Sequence, residues 1–551
     1  MKQNQTIIKE LLQRRGIVSD FDMEEFLSDR PQRTYDPFLL LNMKAGVDLL
    51  LSEIKAGTRI CIYGDYDADG VTSICVLSSV IGALTERFTY YIPSRFTEGY
   101  GLNCEAIHRL KEEGIGLIVT VDCGSVSYEE VEYAKSIGMK MIVTDHHNID
   151  GRKADCILIN PKQQECTYPF KGLAGCGVAF KLAQAVQQTA QLPKSVLNAA
   201  LDMVAVGTVA DVVPLLDENR TLVKYGLNKI NAGERLSLRR LIEGISLRWV
   251  NSEHIAFGIA PHINAAGRMD SALEAARLFL SEDEQTIERQ VQKLICFNAQ
   301  RKQKQEEAYR KCLDFISGKE SFILLEMDDI HEGIAGIVAG KIKERFHRPT
   351  AIVTPSEAGY LKGTGRSIPG VDIFALLKKH EELFVRFGGH QSACGFTIAE
   401  EKLPLLREAV QAELAFLLDK NPALFQKTTE WEMKLTPAEV SVGLAKLLEQ
   451  LEPFGEGNES PRFLLERVWP QSVKYMGAEQ THARFSAVDD DGSRADCVLF
   501  QTAQEHREDF CGRYPLNLIG SISLQQWRGQ DRVQFVIEEI ERWNEEEKNR
   551  L

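Results

Sequence analysis

Three aspartates alternate within residues 61–70, CIYGDYDADG: Asp65, Asp67 and Asp69. Carboxylates this close repel one another and make ionisation costly. Hard divalent cations relieve such crowding because they take several oxygen ligands at once. Further candidate ligands lie downstream. GLIVTVDCG (116–124) is a short apolar run that leads to Asp122, and MKMIVTDHH (139–147) leads to Asp145, His146 and His147. A fourth apolar segment, LDMVAVGTVADVVPL (201–215), carries Asp211 among small residues. That acid suits either a buried hydrogen-bond acceptor or a last metal ligand. Each feature alone has an ordinary explanation, since an Asp at a strand end commonly caps the following helix. Together they point to a cation site.

Such a site needs elements that bring the acids to one place. In open parallel α/β sheets, ligands bind at the carboxyl ends of the strands. The runs before Asp65, Asp122 and Asp145 read as strands, and the Asp211 segment is expected to supply a fourth strand end. VTSICVLSSVIGAL (71–84) and YEEVEYAKSIG (128–138) read as the intervening helices. The expectation from residue 51 to about 215 is therefore a doubly wound parallel domain, preceded by a polar helical cap over 1–50. From about 216 to 320 the pattern is mostly helical. A smaller α/β unit begins at SFILLEMDD (321–329) and holds two glycine-rich segments, KGTGRSIPG (362–370) and RFGGHQSACGFTI (386–398). These are expected to be turns whose N–H groups cradle an anion, with Arg366 and His390 beside them. Six short strand-like runs after residue 430, with hairpin-like turns at DDDGS (489–493) and RGQD (528–531), fit a small barrel of the oligonucleotide-binding (OB) type. Tyr475, Phe485 and Trp527 are candidate base-stacking residues there.

At 551 residues the chain should hold several domains. Its 44% hydrophobic and 26% charged content is that of an ordinary globular protein, and no run reaches transmembrane length. The first residues, MKQNQTIIKELLQRRG, read as an amphipathic helix without a signal-peptide core, so the expected location is the cytoplasm, with no membrane partner. Twelve cysteines without CxxC spacing fit buried thiols in a reducing compartment. A net charge of −14 argues against a general nucleic-acid coat, though not against an enzyme with one basic channel. The basic runs RLSLRRLIEGISLRW (235–249), RKQKQ (301–305) and KIKERFHRP (341–349) each read as a solvated helix face.

Ten segments in order carry a resemblance to a known family: GDYDADG (64–70), IPSRFTEGYGL (92–102), VDCG (121–124), TDHH (144–147), GTVADVVPL (207–215), APHINAAGRMD (260–270), HEGIAGIVAGKIKERFHRP (331–349), GTGRS (363–367), FGGH (387–390) and LEPFGEGN (451–458). They resemble the single-strand-specific 5′→3′ exonucleases of the Asp-His-His (DHH) phosphoesterase superfamily. The resemblance implies an α/β multidomain chain: a helical cap (1–50), a parallel-sheet DHH catalytic domain (51–250), a helical bridge (251–320), a smaller α/β DHHA1 substrate-binding domain (321–425) and an OB-fold β-barrel (430–545). It implies two divalent cations, Mn²⁺ or Mg²⁺, on Asp65, Asp67, Asp69, Asp122, His146 and Asp211. Many relatives have histidine where Tyr63 stands, so Asp65 is implied to supply the missing ligand. His147 and Arg268 are implied to be catalytic, with Asp145 behind the ligands. Arg95, Thr364 and Arg366 are implied to hold a 5′ phosphate; Tyr100, His331, Gly388, Gly389 and His390 are implied to contact substrate.

The activity implied is release of 5′-mononucleotides from single-stranded DNA in recombination and repair, with a single-strand-binding protein and a helicase as partners. Two other readings remain open. One is a small-substrate relative acting on nanoRNA or cyclic dinucleotides; such relatives usually lack a C-terminal barrel. The other is an inactive DNA-binding scaffold of the same fold, in which the metal ligands are lost; here every ligand position carries an acid or a histidine.

Overall fold

The computed structural model describes every residue except Met1, Asp150, Glu357, Ala358, Thr428, Arg528 and residues 544–551. The first sheet consists of β1 (Arg59–Gly64), β2 (Phe88–Tyr91), β3 (Ile115–Val121), β4 (Lys140–Thr144) and β5 (Ile157–Ile159). The strands are all parallel, in the order β2-β1-β3-β4-β5. Helices cover both faces, so β1, β3 and β4 are buried throughout most of their length and read as unbroken apolar runs. Gly64 pairs with Val121 and Val121 with Thr144. That register sets the next residues, Asp65, Asp122 and Asp145, side by side.

The segment holding Asp211 departs from expectation. Residues Leu201–Ala210 form a helix, not a strand, and Asp211 stands at its C-terminal end. Nearly every residue of that helix is buried, as in helix Ala68–Gly82, against which it packs. A helix apolar all round belongs in a core, and it shows no polar face to mark a 3.6-residue period.

After further helices, the chain runs through helix Glu284–Leu313, 30 residues and hence about 45 Å long. It then enters a second sheet: β6 (Ile323–Glu326), β7 (Thr350–Pro355), β8 (Tyr360–Arg366), β9 (Phe384–His390) and β10 (Ala393–Ala399), in the order β6-β7-β8-β10-β9. Gly363 and Gly365 of the first glycine-rich segment lie in strand β8, and the glycines of the second in the β9–β10 hairpin, not in phosphate-cradling turns. A Cβ on Gly363 would lie 2.2 Å from the Phe396 ring, and one on Gly365 2.7 Å from Cys394 Sγ. Those two glycines make room for cross-strand side chains.

The third sheet contains β11 (Met433–Leu435), β12 (Phe463–Met476), β13 (His482–Val488), β14 (Arg494–Leu499), β15 (Leu516–Trp527) and β16 (Gln530–Arg542). Pairing runs β12-β13-β14-β16-β15, and β15 returns to β12, closing a five-stranded barrel. The DDDGS turn joins β13 to β14 as expected. Phe485, only 3% exposed, is a barrel-core residue and no stacking platform. Tyr475 is half-buried beneath Arg507. The side chain of Trp527 and the turn residue Arg528 lie outside the described residues.

The N-terminal region does not act as one cap on the first domain. Helix Met43–Lys55 packs on the first sheet, but Ile7, Ile8, Leu11, Leu12, Met23 and Phe26 share a core with the barrel. The physical reason is the amphipathic face of helix Lys2–Arg14, which buries against the barrel. The Arg15 guanidinium reinforces it, at 2.6 Å from Glu432. Arg220 fastens this arrangement to the first domain. It is 3% exposed, lies 3.7 Å over the Phe26 ring, and donates to the carbonyls of Phe26, Gln450, Leu451 and Glu452. Burial, with Arg15 nearby, pulls its pKa down to about 9.

Replacing Arg220 with Ala orphans these carbonyls and opens a void, a loss of about 3 kcal/mol. The expected calorimetric result is a melt that splits, with the barrel unfolding ahead of the first domain. A single unshifted transition would show that the contact carries little.

Candidate metal centre and anion cleft

Three short segments and one helix end converge at the carboxyl edge of β1, β3 and β4. Asp67 Oδ1 accepts from the backbone N–H groups of Asp69 and Gly70, both at 3.0 Å, and so caps helix Ala68–Gly82. Asp69 points the other way, to the N-terminus of helix Gly175–Thr189. Gly175 N and Cys176 N donate to its two oxygens at 2.7 and 2.8 Å. Asp122 adopts a left-handed conformation, φ 61°. The helix after it does not begin until Tyr128, which removes the helix-cap explanation. A Cβ on Gly175 would lie 2.5 Å from Asp122 Oδ1, so only glycine lets this helix end approach so closely.

His146 Nε2 lies 3.1 Å from Asp122, 3.4 Å from Asp211 and 3.9 Å from Asp69. These are not ion pairs, because burial outweighs the pull of Asp69 and lowers the imidazole pKa to about 4. Asp145 is saturated: Ser125 N and the backbone N–H groups of His146 and His147 donate to it, and His147 Nδ1 is 2.8 Å away. Burial opposes protonation of His147, but this carboxylate prevails and raises its pKa to about 9. The Tyr100 hydroxyl is 3.3 Å from the same ring.

The donor set fits divalent cations. Asp65 Oδ1, Asp122 Oδ1, Asp211 Oδ2 and both His146 nitrogens are buried without a hydrogen-bond partner. Such atoms are costly unless something pairs with them. Three overlapping groups each bring their ligand atoms within 4.8 Å: Asp65–Asp67–Asp122, Asp69–His146–Asp211 and Asp122–His146–His147. Asp122 belongs to two of them, as a residue shared between two cations would.

Burial, then Asp69 and Asp67, pushes the Asp211 pKa up to about 9; burial and neighbouring carboxylates raise Asp65 and Asp122 well above the usual range. A raised folded pKa favours the protonated fold. Metal-free stability is therefore lost progressively as pH rises from the ordinary carboxylate range near 3.8 towards about 9. Cation binding must expel these protons. The rise in melting temperature caused by Mn²⁺ should accordingly grow between about pH 6 and about pH 8. A rise independent of pH would argue that the cation sits elsewhere.

Beside the carboxylates lies an opposite charge. Arg268, partly buried, donates to Gly333 O at 2.9 Å. Burial first, then Arg95, Arg301 and Arg366, lowers its pKa to about 10, and Asp67 offsets this slightly. Arg95 stands 4.9 Å over the Tyr66 ring. Arg366 donates to Gly365 O at 2.7 Å and to the Thr364 hydroxyl at 3.3 Å. Among the described residues, none of these four guanidinium groups has a carboxylate ion-pair partner. Unpaired guanidinium groups converging in this way have the chemistry to hold an anion.

The other expected substrate residues are placed less uniformly. His390 lies within electrostatic reach of Arg366 and His147. Gly389 is needed for close approach to Ala393 O, whereas Gly388 borders open space. His331 caps helix Glu332–Phe346, accepting from Gly333 N at 3.1 Å, with its ring edge-on to Phe96.

Several contributors were not legible in the sequence. In the sequence Arg301 belongs to a run with the look of a solvated helix face. Its Nε donates to Asn298 Oδ1 at 3.0 Å, and Asn298 Nδ2 is 2.9 Å from His262 Nε2. His262 Nδ1 meets Gly258 O at 2.6 Å, which fixes the proton on Nδ1 and makes Nε2 the acceptor. The i, i+3 spacing of Asn298 and Arg301 was the available signal. Gly175, Cys176 and Lys162 had none; Lys162 lies within electrostatic reach of His146 and Asp211.

Comparison with known proteins agrees with this architecture. Residues 59–208 match the DHH family N-terminal domain, 319–415 the DHHA1 domain and 431–539 the RecJ OB domain. The single-stranded-DNA-specific exonuclease RecJ of Bacillus subtilis is 34% identical over 540 residues, covering 97% of this chain and 67% of that protein. RecJ of Escherichia coli is 34% identical over 451 residues, 77% of this chain and 78% of that one. The crystal structure of Thermus thermophilus RecJ with Mn²⁺ superposes with a TM-score of 0.82 at 29% identity, covering 97% of this chain and 76% of that one. The same protein has also been solved with Mg²⁺. With all three domain types present in order and such coverage, the chain belongs to the RecJ family.

Proposed function

We propose that this chain is an exonuclease that degrades single-stranded DNA from its 5′ end, releasing 5′-mononucleotides, and that it depends on two divalent cations. The observation that carries the reading is the adjacency of two charge arrangements: buried, unpartnered acids with His146 on one side, and four unpaired guanidinium groups on the other. A phosphodiester is an anion, and its hydrolysis needs positive charge on the phosphate and an ionised nucleophile. Mn²⁺ or Mg²⁺ held by Asp65, Asp67, Asp69, Asp122, His146 and Asp211 would supply Lewis acidity and a water of lowered pKa.

The chain's own residues do the rest. Arg95, Thr364 and Arg366 bind the terminal 5′ phosphate, and Arg268 and Arg301 hold the diester to be cut. His147, kept protonated by Asp145, offers an N–H to a phosphate oxygen, and Tyr100 packs beside it. His331, His390 and the Gly388–Gly389 edge border the strand's path. The five-stranded barrel supplies a surface for single strands, and the DHH, DHHA1 and barrel units are taken as the functional domains. No described helix is long and apolar enough to cross a membrane. The setting this reading implies is cytoplasmic recombination and repair, alongside a single-strand-binding protein and a helicase.

Digestion of end-labelled single- and double-stranded DNA with Mn²⁺, Mg²⁺ or chelator tests it. The expected result is cation-dependent loss of the 5′ label as mononucleotide from single strands only. Release of the 3′ label first, or equal cutting of duplex, would overturn the polarity or the strand preference.

A further inference from the structure

Phe257 is 79% exposed and Trp249 67% exposed. Bare aromatic rings have no packing reason to face water, and where they cluster they mark contact surfaces. Phe257 sits in a π-helical turn, Ile255–Ile259, a widened geometry frequent at functional sites. The turn runs without a break into helix Ala260–Met269, which carries Asn264 and Arg268. Positions 257, 261, 264 and 268 recur at helical spacing and are all less buried than Ile255, Ile259, Ile263 and Ala266. They form one stripe facing the cleft. At its far end Asn264 accepts from Ala68 N at 2.8 Å, beside the aspartate loop, and Arg268 joins the anion site. Eleven residues separate Phe257 from Arg268, about 16 Å along the axis.

The segment leading to the second ring passes the same turn. Leu247 Cδ1 is 3.3 Å from where a Cβ on Gly258 would stand, so the chain passes the turn that holds Phe257 two residues before Trp249. Ser252 Oγ donates to Phe454 O at 2.6 Å, which ties the stretch between Trp249 and Phe257 to the segment leading into the barrel. The local charges sort the two parts of a nucleic acid. Glu253, on the same stripe, repels phosphates, while exposed Arg248 beside Trp249 attracts them. Bases on the rings and backbone on the Arg248 side satisfy both.

We propose that Phe257 is a stacking platform for bases of single-stranded DNA on the 3′ side of the cleavage point. The inference rests on the exonuclease reading above. With the 5′ end held at Arg95 and Arg366, the remaining strand must leave towards the barrel, and the stripe from Arg268 to Phe257 is the path on that side. Stacking on an exposed ring tolerates any sequence, as degradation of strands of any sequence requires.

The test uses the full chain with Mn²⁺ and compares Phe257→Ala and Phe257→Trp on a twenty-nucleotide strand and on a trinucleotide too short to reach the turn. Phe257→Ala should raise KM for the long strand about tenfold and leave kcat unchanged. It should leave the trinucleotide unaffected, and Phe257→Trp should restore the parental KM. A long strand with abasic sites beyond its third nucleotide should erase the difference between parent and Phe257→Ala. An unchanged KM on the long strand, or an equal loss on the trinucleotide, overturns the platform while leaving the exonuclease reading intact. A parent protein that cleaves neither substrate overturns both. Because Phe257 is exposed, the melting temperature should not move; a large drop would mean the side chain packs, and that too overturns the proposal.

Discussion

Asp122→Ala leaves a folded protein whose cleavage of single-stranded DNA falls by at least ~10³-fold, the largest loss expected of any single change here. Asp122 stands between the acid triplet and His146, its Oδ1 has no hydrogen-bond partner, and its left-handed backbone holds it against Gly175. Removing it breaks both groups that contain it. The stability signature is what separates a ligand from a structural acid. In chelator the variant should melt at or above the parent's temperature, because one of several mutually repelling buried carboxylates is gone. Mn²⁺ should then raise the parent's melting temperature and scarcely move the variant's. A variant that is destabilised in chelator yet still stabilised by Mn²⁺ would make Asp122 a structural residue.

The second large effect concerns the end of the strand. Arg366→Ala should reduce the preference for a 5′ phosphate over a 5′ hydroxyl by roughly tenfold to a hundredfold, the worth of a charge-assisted hydrogen bond in a dry site. Arg366 is oriented by Gly365 O and the Thr364 hydroxyl, and its guanidinium passes so close to Gly336 that a Cβ there would be 2.7 Å away. Arg366→Lys should recover only part of the preference, since a point charge cannot reproduce a planar fork. Measuring cleavage of matched 5′-phosphorylated and 5′-hydroxyl strands decides it. An undiminished preference in Arg366→Ala would move end recognition to other residues.

What could be read from the sequence follows from how each element is buried. β1, β3 and β4 lie inside a parallel sheet, so their apolar runs end abruptly at Asp65, Asp122 and Asp145 and announce a strand edge. Helix Leu201–Ala210 is equally apolar, and without a polar face its period is invisible, so the sequence around Asp211 looks like a strand end. The glycines of GTGR were ambiguous for a similar reason. Glycine signals either a turn or a crowded neighbour, and the crowding comes from Phe396 and Cys394, some thirty residues on. Arg301 is the opposite case. A basic run on a long helix normally faces solvent, and what turns Arg301 inward is Asn298 and His262 on two packed helices, a relation that exists only after folding. Gly175 escaped notice because its significance is entirely its distance from Asp122.

The union of helix Lys2–Arg14 with the barrel bears on how the chain is made. The apolar face of Ile7, Ile8, Leu11 and Leu12 leaves the ribosome long before its partners, from Met433 to Ile537, which emerge more than four hundred residues later. At ordinary elongation rates that interval is on the order of tens of seconds. Throughout it the first sheet can fold and assemble its acid cluster while the opening helix waits unpartnered. Any transcript or translation product cut short of the barrel thus leaves a finished catalytic sheet trailing a bare amphipathic helix, which marks the product for aggregation or proteolysis.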